Sequence, residues 1–107
     1  MSKYSMKELW EERYGSREEV FDYAGRRMLK SAINDPSSAY HPTQDHKRPI
    51  AAGGLDIKGN IEICHRDTNQ EKGVSFPHWW TNGRLFRAER VKGKKGEYRI
   101  VELEDGR

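Results

Sequence analysis

Two neighbouring residues, Asp45 and His46, carry the side chains that metal-assisted hydrolysis of a phosphodiester requires. A histidine that titrates near neutral pH can take the proton of an attacking water. A hard divalent cation held by a carboxylate and an amide oxygen can stabilise the charge that develops at phosphorus. Asn60 lies 14 residues after His46, and Asn69 lies 9 residues after Asn60, so two amide side chains follow the pair within a short stretch.

The residues around these positions form a longer ordered pattern. In chain order it reads Asp45-His46, Pro49, Gly53-Gly54, Asn60, the alternating run Ile61-Glu62-Ile63, Asn69 and Lys72-Gly73. This pattern resembles the HNH nuclease motif, in its His-Asn-Asn variant. Because several residue types match in order and at family-like intervals, the resemblance is more specific than an isolated Asp-His pair.

The resemblance implies a role for each of these residues. His46 would be the general base, and Asp45 and Asn69 would be the protein ligands of a metal ion. Asn60 would hold the intervening loop and help to orient the His46 imidazole. The implied cation is Mg²⁺, with Mn²⁺ or another divalent ion as alternatives. The basic residues that we expect to contact nucleic acid are Lys72, Arg48, Arg66, Arg84 and Arg87.

One feature departs from many members of that family. They carry two Cys-x-x-Cys pairs that hold a structural zinc, whereas here His65 and Thr68 stand where the second pair is expected and Cys64 is the only cysteine. We therefore expect no structural zinc. Packing of the N-terminal helices and the Trp79-Trp80 region should then hold the site in shape.

Composition and charge limit the class of protein. With 107 residues and 34% hydrophobic content, the chain has material for one domain with a thin core. One cysteine excludes an intramolecular disulfide, and no apolar run reaches the length of a membrane span or signal-peptide core. We therefore expect a cytoplasmic protein without a membrane association, and the resemblance suggests a bacterial or phage-encoded one.

The net charge of +3 is concentrated towards the C-terminal end. Between positions 84 and 99 the only acids are Glu89 and Glu97, against seven bases, which are Arg84, Arg87, Arg90, Lys92, Lys94, Lys95 and Arg99. These bases can follow the phosphates of a nucleic acid. They can equally form a solvated hairpin edge whose lysines discourage strand pairing.

Hydrophobic periodicity and turn residues predict the elements that must position these side chains. Residues 5–14 have the pattern of a short helix, and Ser16-x-x-Glu19 resembles a capping box that opens a second helix reaching about Ile33. A strand should precede Asp45, a second strand should contain Ile61-Glu62-Ile63, and a short helix capped by Asp67 or Thr68 should follow. An aromatic segment over 76–80 and two strands around the turn 92–96 complete the chain.

These elements predict a single domain of the α+β class. Its N-terminal part, residues 1–39, would be helical, residues 40–73 would form a ββα-metal (HNH) finger, and residues 74–107 would contain the aromatic segment and a basic β-hairpin. The predicted function is hydrolysis of DNA phosphodiesters by a one-metal mechanism, and the resemblance to the HNH motif implies a 5′-phosphate and a 3′-hydroxyl as products.

Several alternatives stay open at this stage. One is a nucleic-acid-binding module with weak or no turnover, acting as a subunit of a phage or restriction assembly, and another is a metal-stabilised structural domain. A homodimer is also compatible with the sequence. Cys64 suits a buried position, and His41, His65 and His78 suit packing roles better than metal binding. Trp79 and Trp80 suit either the core or stacking on bases.

Overall fold

The computed structural model describes residues 2–104. The helices are α1 (Met6–Tyr14) and α2 (Arg66–Lys72). The strands are β1 (Glu19–Phe21), β2 (Arg27–Leu29), β3 (Pro42–His46), β4 (Ile61–His65), β5 (His78–Thr81), β6 (Arg84–Arg90) and β7 (Tyr98–Leu103). All pairings are antiparallel and form three sheets, β1-β2, β3-β4 and β5-β6-β7. Short 3₁₀ turns occupy Lys30–Ala32, Ile50–Ala52 and Lys58–Asn60.

The predicted α+β fold class is wrong. Over residues 2–104 the molecule is mostly β, with seven strands in three sheets and one helix in the N-terminal part. The stretch 40–73, predicted as a ββα-metal finger, contributes one two-stranded sheet and a helix of only seven residues to this mostly-β domain. The first helix is present at Met6–Tyr14, where the Ser5 hydroxyl caps it by accepting a hydrogen bond from Glu8 N–H.

The predicted second helix is a hairpin instead. Val20 and Met28 face each other across β1 and β2 and are buried, while their strand neighbours are mostly exposed. The turn between the strands is fixed by Asp22, whose Oδ1 accepts hydrogen bonds from the N–H groups of Ala24 and Arg26. A short polar side chain that binds its own backbone competes with helix formation, which explains why the capping-box pattern misled the prediction.

The C-terminal hairpin is also corrected. Strands β6 and β7 do flank a turn over 91–97, but β5 pairs with the other edge of β6 and produces a three-stranded sheet. Trp79 of β5 lies opposite Phe86 and is 3% exposed, whereas Trp80 points to the other face of the sheet and is 50% exposed. One tryptophan therefore belongs to the core and its neighbour to the surface.

Two apolar clusters stabilise this arrangement. Leu9, Trp10, Val20, Met28, Ile61 and Ile63 form the first, which joins α1 and the β1-β2 hairpin to the back of β4. Ala24, Trp79, Phe86, Ala88 and Tyr98 form the second, which supports the C-terminal sheet. Burial of large aromatic side chains supplies much of the apolar area in a chain of this composition. Neither described helix is long and apolar enough to cross a bilayer.

Candidate functional site

The predicted chemistry lies along β3, where successive side chains alternate between two environments. Thr43 and Asp45 face α2, since Asn69 donates to the Thr43 hydroxyl and Lys72 contacts Asp45. The next residue, His46, instead contacts the loop that follows β3. Both Asp45 and His46 line an open cleft of about 420 Å³ that follows the strand, together with Met6, Ile33, His41, Pro42, Thr43 and Gln44.

Asp45 is a nearly buried carboxylate that lacks a hydrogen-bond donor on one oxygen. Its side chain is 11% exposed, and the Nζ atom of Lys72 lies 3.0 Å from Oδ2. The approach direction does not meet the geometry of a hydrogen bond, so Oδ2 has no donor among the described residues. Burial raises the pKa of Asp45, and the positive charge of Lys72 opposes that rise.

Lys72 lies inside the molecule rather than on its surface. Its side chain is 0% exposed, and the ammonium donates to the carbonyl oxygen of His46 at 3.1 Å. The same atom lies 5.0 Å from the centre of the Trp79 ring, a distance at which a cation and an aromatic face attract. Lys72 therefore neutralises Asp45 and is placed away from any phosphate that contacts the surface.

His46 forms a pair with a carboxylate that the sequence pattern did not identify. Its Nε2 atom lies 2.9 Å from Oδ1 of Asp56. The other carboxylate oxygen of Asp56, Oδ2, accepts a hydrogen bond from the Lys3 N–H. The bond to His46 is the main cause of the low pKa of Asp56, about 2. Asp56 is thus ionised at neutral pH, and an Nε2–H donor would leave the Nδ1 lone pair of His46 free to take a proton.

Asn69 lies on the same face of α2 as Lys72, three residues earlier. Its Nδ2 atom donates to Thr43 Oγ1 at 3.0 Å and to the Gln44 carbonyl oxygen at 3.1 Å, so the side chain is fixed against β3. Because the Asn69 nitrogen makes both hydrogen bonds, the amide oxygen is the atom that can bind a cation. The structure therefore places Asn69 and Asp45 on the same side of β3, and His46 on the other.

Asp45 and Asn69 fit a small hard cation in their chemistry. Carboxylate and amide oxygens are ligands that Mg²⁺ accepts, with waters and phosphate oxygens filling its remaining positions, and both side chains lie on the side of β3 that faces α2. Residues 2–104 contain no cluster of three or more His, Cys, Asp or Glu side chains suited to a metal. The Lys72 ammonium competes for the same carboxylate, so any cation here is held by two protein ligands against a local positive charge.

Asn60 is fully buried and fixes the loop that joins β3 to β4. Its Oδ1 accepts from the Arg48 N–H at 2.9 Å, and its Nδ2 donates to the carbonyl oxygens of Arg48 and Leu55. No hydrogen bond links the Asn60 side chain to the His46 imidazole within the described part of the chain. Asn60 therefore acts on the loop that carries Asp56, and reaches His46 only through it.

The arginines predicted to contact nucleic acid are all engaged within the protein. Arg48 donates to Ala52 O and Tyr98 Oη, and Arg66 donates to the backbone oxygens of residues 36 and 38. Arg84 and Arg87 are about 40% exposed and pair with Glu102 and Glu89. Arg84 also lines a cavity of about 590 Å³ beside Trp80. None of the residues predicted for catalysis lines this cavity.

Hydrogen bonds surround His65 and Thr68, the two positions at which the HNH motif was expected to carry its second cysteine pair. Asp22 Oδ2 accepts from the His65 N–H, and the His65 imidazole donates through Nε2 to Ala39 O and accepts the Asp67 N–H on Nδ1, which makes His65 the cap of α2. Arg26 donates to the hydroxyl of Thr68. The β1-β2 hairpin, rather than a second N-terminal helix, thus contacts the start of α2 at His65 and Thr68.

The surroundings of His41, His78 and Cys64 differ from those of His46, and none of the three is assigned a role in the predicted hydrolysis. His41 Nδ1 lies 2.8 Å from the Ala32 carbonyl oxygen, and His78 is exposed on β5. Cys64 is buried in β4, and burial raises the pKa of its thiol. A buried, protonated thiol is a poor nucleophile.

No protein-family model matches the chain, and no match is found among the curated proteins or the solved structures. The resemblance to the HNH motif therefore depends on the residues quoted above and on no relative. The geometry around Asp45 and His46 is the basis on which a function can be proposed.

Proposed function

We propose that the chain is a metal-dependent endonuclease that hydrolyses DNA phosphodiesters with His46 as general base. The observation that carries this proposal is the pairing of His46 Nε2 with the ionised carboxylate of Asp56, with the nearly buried carboxylate of Asp45 as the preceding residue of the strand. An imidazole oriented by a carboxylate is the arrangement that proton abstraction from water requires. No other histidine in residues 2–104 has a hydrogen-bonded carboxylate partner.

In this mechanism His46 takes a proton from the attacking water at Nδ1, while Asp56 stabilises the imidazolium that forms. The water oxygen bonds to phosphorus and the bond to the 3′-oxygen breaks. The departing oxygen takes a proton from solvent, and His46 returns its proton to solvent before the next turnover. The products are a 5′-phosphate and a 3′-hydroxyl, as the resemblance implies.

The cation would be held by Asp45 and Asn69. When bound, a divalent cation such as Mg²⁺ or Mn²⁺ supplies positive charge against the phosphate and the leaving oxygen. Asn69 is fixed for this role by its two hydrogen bonds to β3. Lys72 offsets part of the charge on Asp45, and its positive charge opposes the rise in pKa that burial causes.

The test is cleavage of supercoiled plasmid by the wild type with Mg²⁺ or Mn²⁺, beside His46→Ala and Asn34→Ala. Asn34 is exposed and lies in the loop after the first hairpin, so its variant controls for preparation and handling. We expect nicking by the wild type and by Asn34→Ala, and loss of nicking in His46→Ala. Absence of nicking across both metals and several salt concentrations contradicts the enzyme, and equal nicking by His46→Ala contradicts the assigned base.

A second function, a DNA-binding module with weak turnover, is favoured by one observation. The buried ammonium of Lys72 lies 3.0 Å from the carboxylate that would bind the cation, and it lowers the affinity expected for a metal there. Tight DNA binding without cleavage would select this alternative. In either case we propose DNA as the partner and the cytoplasm of a bacterial or phage-infected cell as the location, with a homodimer or a larger phage or restriction assembly as the context.

A further inference from the structure

A second concave surface lies on the other side of the loop that follows His46. Three basic residues line it, Arg48 from that loop and Arg90 and Lys95 from β6 and the turn after it. The remaining lining residues are Gly53, Gly54, Leu55, Gly96 and Tyr98, so no carboxylate faces it. We call these eight residues the cationic pocket. Its volume is about 160 Å³.

Close backbone packing builds the pocket. A Cβ atom on Gly54 would lie 1.9 Å from the Arg48 carbonyl oxygen, so only glycine allows the loop to fold back on itself. Gly96 has a φ of +80°, and a Cβ there would lie 2.6 Å from the Cδ1 atom of Leu55. The glycine backbone of the second loop therefore packs against the Leu55 side chain of the first, and the basic side chains lie around the remaining gap.

One of the three cations is held in place before any ligand binds. The Arg48 guanidinium donates through Nε to Ala52 O at 2.7 Å and through Nη1 to Tyr98 Oη at 2.9 Å. Its carbon also lies 5.3 Å from the centre of the Phe76 ring. None of these contacts neutralises its charge, because all three partners are uncharged.

The other two cations also lack acidic partners. Among the described residues neither Arg90 nor Lys95 forms an ion pair. The acids nearest to them in sequence are Glu89, which pairs with Arg87, and Glu97, whose side chain lies against Gly59. Three like charges around one gap repel each other, and an anion in the gap relieves that repulsion.

We propose that the cationic pocket binds one phosphate group of the nucleic-acid backbone, separate from the phosphate that is hydrolysed. The choice of nucleic acid rests on the proposed function. A cavity of 160 Å³ is smaller than the pockets that take a whole small-molecule ligand and suits a single oxyanion. Arginine can hold two phosphate oxygens at once and lysine adds a mobile point charge. Arg48 is only two residues after His46. We therefore expect one nucleic-acid backbone to reach both the cleft and the pocket.

The first experiment compares two double variants that each lose two positive charges from the end of β6 and the turn after it. Arg90→Gln with Lys95→Gln removes pocket cations, whereas Lys92→Gln with Lys94→Gln removes two cations that do not line the pocket. Arg48 is kept because it braces the loop. Binding to a fluorescent DNA duplex is measured by anisotropy in EDTA, which prevents cleavage, over a series of salt concentrations.

We expect the pocket variant to bind about tenfold more weakly, and its slope of log K against log salt to be smaller by about 1, the change for one lost phosphate contact. The control variant should keep most of the affinity and the wild-type slope. Equal losses in the two variants would show diffuse attraction and overturn the pocket. An unchanged affinity in the pocket variant would overturn it as well.

The second experiment titrates the wild type and the pocket variant with inorganic phosphate and follows the amide NMR signals of Gly53, Gly54 and Gly96. We expect shifts in the wild type that are absent from the variant, and equal shifts in both contradict the site. Shifts from phosphate without DNA binding by the wild type would overturn the nucleic-acid assignment and indicate a phosphate of another molecule. DNA binding that depends on the pocket, together with no plasmid cleavage, contradicts the nuclease alone and leaves this inference standing.

Discussion

The imidazole of His46 and the carboxylate of Asp56 meet at 2.9 Å, and this contact joins the end of β3 to the loop that Asn60 holds. The other oxygen of Asp56 accepts a hydrogen bond from the Lys3 N–H, so the N-terminal segment also takes part. The loop that follows β3 and the distant N-terminal segment thus together determine how one histidine is oriented. A side chain fixed in this way loses little entropy when it acts on a water.

The first prediction concerns Asp56→Asn, which keeps the size of the side chain and removes its charge. The amide cannot stabilise an imidazolium, and it can hold His46 in the wrong tautomer. We expect kcat for plasmid nicking to fall by roughly 10²- to 10⁴-fold, the range known for proton-transfer and orienting groups, with little change in KM. Glu12→Gln, which removes a surface carboxylate, serves as the control. A fall in KM and kcat by the same factor, or no fall at all, would contradict the positioning role.

The second prediction concerns the pH dependence of stability. The pKa of Asp56 is lowered from 3.8 to about 2, chiefly by the hydrogen bond to His46. A carboxyl group whose pKa is lower in the folded state contributes stability above its unfolded pKa, and that contribution is lost as pH falls from 3.8 towards about 2. In urea unfolding, Asp56→Asn should therefore lose less stability over this interval than the wild type. Parallel curves for the two proteins would show that the His46 contact adds no stability.

The sequence pattern predicted the strands and the helix around the candidate residues better than it predicted the elements of the N-terminal part. The order Asp45-His46, Asn60 and Asn69 depends on local spacing. The strand pair that carries Asp45, with Asn60 directly before its second strand, requires only the alternation of Ile61-Glu62-Ile63. The hairpin β1-β2 could not be predicted in the same way. Val20, Ala24 and Met28 are spaced as they would be along one face of a helix. That spacing competes with a turn that the buried Asp22 stabilises, and the outcome depends on packing against Trp10.

Long-range partners were beyond the reach of spacing rules. Asp56 lies in a loop with no periodicity, and its use depends on a contact with His46 that the fold creates. Lys72 matched the motif by type and position, but whether its charge faces solvent or Asp45 depends on how α2 packs against β3. The only signal available for Asp56 was its place as the one carboxylate between Gly54 and Asn60.

The third prediction concerns the ion pair between Lys72 and Asp45. Lys72→Met keeps the length of the side chain but leaves a nearly buried carboxylate without its cation, so we expect the free energy of unfolding to fall by about 3–5 kcal/mol. The pKa of Asp45 should rise further, because burial already raises it and the opposing charge is gone. A carboxyl group whose pKa is higher in the folded state favours folding below its unfolded pKa, and that contribution is lost as pH rises through the folded value. The variant should therefore recover stability as pH falls.

The control for this ion pair is Asp45→Asn combined with Lys72→Met, which removes both charges. We expect urea unfolding of the double variant to show recovery of most of the stability lost in Lys72→Met, because no buried charge then lacks a partner. Additive losses from the two single substitutions would show that the side chains act independently. Such a result would contradict a direct ion pair.

The last prediction concerns Asp22, which holds the β1-β2 turn against the start of α2. Its carboxylate accepts hydrogen bonds from the N–H groups of Ala24, Arg26 and His65, and the residue is buried. Asp22→Ala leaves these donors without an acceptor, so we expect a loss of roughly 2–4 kcal/mol in urea unfolding. Asp22→Asn keeps one acceptor oxygen and should lose less. If hydrogen bonds rather than a structural zinc hold this junction, a strong zinc chelator will leave the Tm of the wild type unchanged. A fall in Tm with the chelator would show that a metal contributes to the fold.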